Sequence, residues 1–154
     1  MNLAHYLETS AQCFPRHPVV REESGDTTYG ELNETANRVA SALMKLGVEP
    51  GDPVALCAPN SGDWMAFYFG VLKAGAVAVT LSYLLKSMEF NSLIRHAGPR
   101  IVYADETRVA DLEAFKDSDN LETIVCPGGD KDLPELIDLG TSRFRTVDRE
   151  RKDT

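Results

Sequence analysis

At 154 residues and 16.9 kDa the chain has the size of one globular domain, and 43% hydrophobic with 26% charged residues suits a packed core. Its net charge of −8 opposes nucleic-acid binding, which calls for basic surface. The longest apolar run, Trp64 to Leu72, is far short of the ~20 residues of a membrane span, and the start Met-Asn-Leu-Ala-His-Tyr-Leu-Glu lacks the regions of a secretion signal, so a soluble cytoplasmic protein is expected.

Leu3, Leu7, Ala11 and Phe14 recur at helical spacing and stop at Pro15 and Pro18, which predicts a short opening helix. Val19 to Glu22 and Asp26 to Thr28 flank Ser24-Gly25, a pair suited to a hairpin turn. Thr28 stands three residues before Glu31, so hydroxyl and carboxylate can each cap an orphan amide of a new helix. Leu32, Ala36, Val39, Ala40, Leu43 and Leu46 form one apolar stripe of that helix, and Gly47 stops it.

Val54-Ala55-Leu56-Cys57 is apolar without alternation, as in a parallel strand covered on both faces. Asn60 or Ser61 caps the next helix, and Asp63 suits its positive end. Trp64, Met65, Phe67, Tyr68, Phe69, Val71 and Leu72 leave that helix apolar nearly all round. Such a helix needs cover on two sides, which raises the expectation of self-association into a homo-oligomer.

Val77 to Leu81, Ile101 to Ala104 and Thr123 to Cys126 read as further strands, with helices over Ser87 to His96 and about Thr107 to Lys116 between them. Leu133, Leu136 and Ile137 predict a last helical turn or two. Right-handed crossovers through these units give an α/β fold, a parallel sheet flanked by helices on both faces in three layers. The segment Asp105 to Glu135 holds ten carboxylates against Arg108, Lys116 and Lys131, and reads as a solvated face. The tail reverses the balance with Arg143, Arg145, Arg149, Arg151 and Lys152, and is expected to fray.

Candidate chemistry is sparse. Cys13, Cys57 and Cys126 are too far apart in sequence for a zinc pair, and their odd number argues for reduced thiols. His5, His17 and His96 lack partners at ligand spacing, so no metal site is expected. Ser61 reads as a cap, since Asn60-Ser61-Gly62 is not a strand-turn-helix nucleophile signature. Neither Cys126-Pro127-Gly128-Gly129-Asp130 nor Leu46-Gly47-Val48-Glu49-Pro50-Gly51 carries the lysine and hydroxyl of a phosphate loop. Lys73 is expected to meet the free carbonyls at its helix end, and Lys86 follows a strand's carboxyl end, where open sheets bind ligands.

Two blocks carry a resemblance. Thr27-Thr28-Tyr29-Gly30-Glu31-Leu32 and Leu72-Lys73-Ala74-Gly75-Ala76-Val77 resemble the first two core motifs of the adenylate-forming (AMP-binding) enzymes, the superfamily of acyl-CoA synthetases, peptide-synthetase adenylation domains and luciferases. Gly51-Asp52-Pro53-Val54-Ala55 and Ala58-Pro59-Asn60-Ser61 are similar to the usual connection, and the likeness covers roughly residues 1 to 126. Thr80 departs from it where relatives commonly place proline, as does Ser82 where asparagine is frequent.

The resemblance implies one incomplete domain over residues 1–154, the N-terminal part of an AMP-binding domain. Residues 1–50 would form the N-terminal helix, hairpin and long helix, 51–126 the β-α-β core, and 127–154 a loop and tail. It implies that the whole enzyme is an acyl-CoA synthetase, which activates a carboxylic acid with ATP and Mg²⁺ and transfers it to CoA. In that family the two motifs are scaffold, and a Ser/Thr/Gly-rich loop with a lysine wraps the phosphates. Nothing like that loop occurs through Thr154, so no catalytic, cofactor-binding or metal residue is assigned, and this chain alone is expected to be inactive and to bind none of these groups. The alternative is a stand-alone, non-catalytic α/β module that binds a nucleotide or a protein at the carboxyl edge of its sheet.

Overall fold

The structure is a computed structural model that describes residues 2–116 and 120–148. In chain order it contains α1 (Ala4–Cys13), β1 (Pro18–Glu22), β2 (Gly25–Thr28), α2 (Tyr29–Lys45), β3 (Pro53–Cys57), α3 (Gly62–Lys73), β4 (Val77–Thr80), α4 (Ser87–Ala97), β5 (Ile101–Ala104), α5 (Val109–Lys116), β6 (Thr123–Val125) and α6 (Leu133–Leu139). A 3₁₀ turn, Glu106–Arg108, precedes α5, so the helix expected from Thr107 begins its regular turns later.

Strands β4, β3, β5 and β6 lie side by side in that order, all parallel. Alternation sorts their side chains. Val54, Leu56, Ile101, Tyr103 and Val125 face a core built with α2, α3 and α6. Ala55, Cys57, Val102, Ala104, Ile124 and Cys126 face a second core with Phe90 and Ile94 of α4 and Leu112 and Phe115 of α5. This is the expected three-layer α/β arrangement. Helix α1 and the antiparallel β1–β2 hairpin lie outside it, where Leu7 packs on Leu32, Ala36 and Ala66.

The local signals act as read. Thr28 Oγ1 accepts from the Glu31 amide at 3.3 Å, and the Glu31 carboxylate accepts from the Thr28 amide at 2.8 Å. Leu32, Ala36, Val39, Ala40 and Leu43 are buried along α2, and Gly47 takes a left-handed φ of 87° just after its end. In α1 the buried pair is Ala4 and Leu7, whereas Leu3 and Phe14 of the expected stripe are exposed.

Helix α3 corrects the reason given for self-association. It is buried between the sheet and α2, with Ala66, Phe67, Gly70 and Val71 enclosed and Trp64, Met65, Tyr68 and Phe69 half-buried. The most exposed large apolar side chains, Leu84 (75% exposed) and Met88 (86%), lie instead beside the edge strand β4 and on α4. No described helix is long and apolar enough to cross a membrane.

The tail also departs from expectation. Residues 141–148 form a strap without regular structure that is bonded along its length to the body. Thr141 pairs with Ser41 at 3.3 Å, Asn37 donates to the Ser142 carbonyl at 2.9 Å, and the Val147 amide donates to the Lys73 carbonyl at 2.8 Å. Bonds to distant residues therefore outweigh the polar composition that argued for fraying. Arg149, Arg151 and Lys152 lie outside the described residues.

Candidate functional site

In sequence order the four parallel strands run β3, β4, β5, β6, but in space β4 and β5 lie on opposite sides of β3. The chain therefore reverses direction across the sheet between β3 and β5, and open α/β sheets bind ligands outside the strands' carboxyl ends at such a point. A crevice of about 450 Å³ opens there. Ala58 follows β3, Ala104 ends β5 with Asp105 next, Cys126 follows β6, and Ser61 and Asp63 come from the start of α3. Tyr103 forms part of its wall, stacked on Phe67 with ring centroids 4.8 Å apart.

The crevice is acidic. Asp63, Asp105, Glu106 and Asp132 line it, with no lysine or arginine among the described lining residues. Burial in the wall and the nearby Glu22 push Asp63 up from its ordinary value, while Thr107 holds Asp105 down by donating to its carboxylate. Burial, with Asp63 close by, pushes the Tyr103 phenol up to about 12, so it stays neutral and cannot act as a base near neutral pH.

The positive end of α3 is already in use. Ser61 Oγ accepts from the Trp64 amide at 3.0 Å, and the Gly62 amide donates to the Glu22 carboxylate at 3.2 Å. The hairpin thus supplies an internal anion to the positive end of α3. These residues do not fit a polyphosphate, and no group of three or more potential metal ligands occurs among the described residues.

Apart from Cys126, the other candidate residues lie away from the crevice. Lys86 is exposed at the start of α4, where its amide donates to Glu89 at 3.1 Å. Arg108 lies buried over the Phe90 ring, 4.8 Å from its centroid. Its guanidinium donates to the Tyr83 and Leu85 carbonyls and pairs with Asp111, which fixes the loop after β4. Cys57 and Cys126 are buried thiols, both pushed up by that burial, and Cys13 is exposed. His17 packs edge-on against Phe14 at 5.5 Å.

Lys73 contradicts its expected place. It is 0% exposed, and its Nζ donates to Glu8 Oε1 of α1 at 2.7 Å instead of capping the α3 carbonyls. Thr146 of the strap donates to the same oxygen, and His5 lies 2.8 Å from the other carboxylate oxygen. Partial burial pushes Glu8 up, but the bonds from Lys73, Thr146 and His5 outweigh it and hold the carboxyl at about 2. Burial pulls Lys73 down despite Glu8, so the lysine loses more to desolvation than its partner returns.

Gly75 makes room for the strap. At φ 75° it is left-handed, and a Cβ there would stand 2.9 Å from Val147 Cγ1. The Leu-Lys-Ala-Gly stretch is therefore the seat of the strap, giving it a carbonyl, an ion pair and room for Val147. Glu8 stood three residues from His5 in the sequence, and that spacing was the one local sign of the cluster.

Comparison with known proteins places this scaffold. The family described as "AMP-binding enzyme" matches residues 7–150. The chain belongs to this family. Among curated AMP-binding relatives, the long-chain-fatty-acid–CoA ligase FadD13 of Mycobacterium tuberculosis H37Rv is 36% identical over 103 residues, 66% of this chain and 20% of FadD13. The solved anthranilate CoA ligase AuaEII, in complex with anthranoyl-AMP, superposes with a TM-score of 0.91 at 25% identity over 99% of this chain and 30% of its own. A benzoate CoA ligase from Burkholderia xenovorans LB400 gives 0.86 at 28% identity over 97% and 31%. The chain thus spans about a fifth of FadD13's length and under a third of the solved ligases.

Proposed function

We propose that this chain is the N-terminal part of an ATP-dependent acyl-CoA ligase, where it serves as scaffold. The complete enzyme would adenylate a carboxylic acid with ATP and Mg²⁺, then form the thioester with CoA. In the first step a carboxylate oxygen bonds to the α-phosphorus as the bond to pyrophosphate breaks. Like charges meet there, so cations and donors must gather around the phosphates. The observation that carries the scaffold reading is the crevice lining of Asp63, Asp105, Glu106 and Asp132 with no cation among its described residues, which would repel a triphosphate. The chemistry would fall to residues outside this chain.

A chimera tests this reading. AuaEII carrying residues 2–148 in place of its matched segment is expected to make anthranoyl-CoA and to keep anthranilate as the preferred acid over benzoate. A chimera that melts as cooperatively as AuaEII yet makes no thioester, or one with a changed acid preference, would place reacting or selecting groups in this segment and overturn the scaffold role.

A further inference from the structure

The ring of His5 stands between two carboxylates, with Nδ1 2.8 Å from Glu8 Oε2 and Nε2 2.9 Å from Asp148 Oδ1. A carboxylate only accepts, and a neutral imidazole has a single N–H. Both bonds can therefore form together only when the ring carries both protons. We propose that protonated His5 is a clasp that pins the end of the strap onto α1 and α3, and that loss of its proton releases residues 146–148 from the Lys73–Gly75 seat.

The parts of the clasp converge from three directions. Glu8 and His5 come from α1, Lys73 from α3, and Thr146, Val147 and Asp148 from the strap. Asn2 donates to the Val147 carbonyl at 2.9 Å, beside the Val147-to-Lys73 backbone bond. The titrating and charged groups facing the ring are Glu8, held at about 2, and Asp148, held down chiefly by His5, with Lys73 behind Glu8. The terminal amine adds to the lowering of Asp148.

The bonds to Glu8 and Asp148 raise His5 above its ordinary 6.5. A raised histidine contributes its stabilisation fully below the unfolded value, and the contribution disappears as pH rises through the folded one. The clasp is therefore closed below the ordinary histidine value of 6.5 and opens as pH rises above it through the raised value. Glu8, held at about 2, keeps its charge across that range, so the carboxylate beneath the strap persists as the strap loosens.

Hydrogen exchange at the Val147 amide reads the clasp directly. In the 154-residue chain its protection factor, corrected for intrinsic exchange, is expected to fall roughly three- to fivefold between pH 6 and pH 9, as the release of solvent-screened ion pairs would give. In His5→Gln the protection should already be low at pH 6 and nearly flat to pH 9, with the Leu56 amide of β3 unchanged in both proteins. A flat profile in the parent chain overturns the proposal. So does a step that survives in His5→Gln, which would assign it to another group of the cluster such as the terminal amine or Lys73, or a step shared by Leu56, which would make it global.

Discussion

Glu8→Gln is expected to destabilise the protein by about 3 kcal/mol, which lowers the melting temperature of a chain this long by roughly 6–12 °C. The substitution keeps the shape of the side chain and removes its charge, leaving the fully buried Lys73 ammonium without its carboxylate. An uncompensated buried charge costs ~3–5 kcal/mol, and the lower end applies because the Glu8 side chain is 24% exposed. Because burial costs Lys73 more than pairing returns, Glu8→Leu with Lys73→Met should recover most of the loss. Acid titration supplies a second reading. A carboxyl held at about 2 contributes stability that is complete above its ordinary 4.5 and disappears as pH falls toward about 2. Urea midpoints from pH 5 to pH 2 should fall less steeply in Glu8→Gln than in the parent.

Gly70→Ala should cost about 2 kcal/mol in urea unfolding, against the ordinary gain of roughly 1 kcal/mol for that change inside a helix. Gly70 lies where α3 crosses α2. An added Cβ would stand 2.6 Å from Val39 Cβ, overlap Val39 Cγ1 and approach the Ala36 carbonyl at 3.2 Å. Two helices must part to admit it, which also loosens the packing of Phe67 and Val71 against Leu43. Trimming Val39 to alanine in the same chain removes the Cγ1 overlap but leaves the Cβ contact, so only part of the loss should return. Full stability in Gly70→Ala would mean that the crossing is looser than described.

How much was legible follows from how far apart interacting residues lie in the chain. The Thr28–Glu31 cap, the Gly47 stop, the apolar Val54–Cys57 strand and the stripe of α2 are set by neighbours within a few residues, and all appear as read. Helix α3 was legible as apolar all round but not as covered. Its cover depends on small residues, Ala36 of α2 and Ala66 and Gly70 of α3, which let two backbones approach. Lys73 was misread because its partner Glu8 lies 65 residues away, and nothing near Lys73 signals burial. The strap was misread for the same reason, since its polar side chains are the ones that bond across to α1 and α2.

The crevice shows the same limit in another form. The ends of β3, β5 and β6 could be placed from sequence, and the carboxyl edge was the expected location for any ligand. The strand order that brings Asp63, Asp105 and Asp132 around one opening could not be placed, because it depends on which side of β3 each crossover lands. Sequence alone therefore read Asp105 to Glu135 as a solvated face, whereas Asp105, Glu106 and Asp132 of that stretch line the crevice.

Pyrophosphate release by the purified 154-residue chain tests the scaffold role most directly. The chain would be mixed with ATP, Mg²⁺ and, in turn, fatty, benzoic and anthranilic acids, and release compared with that from AuaEII. No acid-dependent release above the protein-free blank is expected from the chain while the AuaEII control turns over. Release that rises with any of these acids, and is lost when the chain is heat-unfolded, would mean that the reacting groups lie within residues 1–154 and would contradict the role proposed for them.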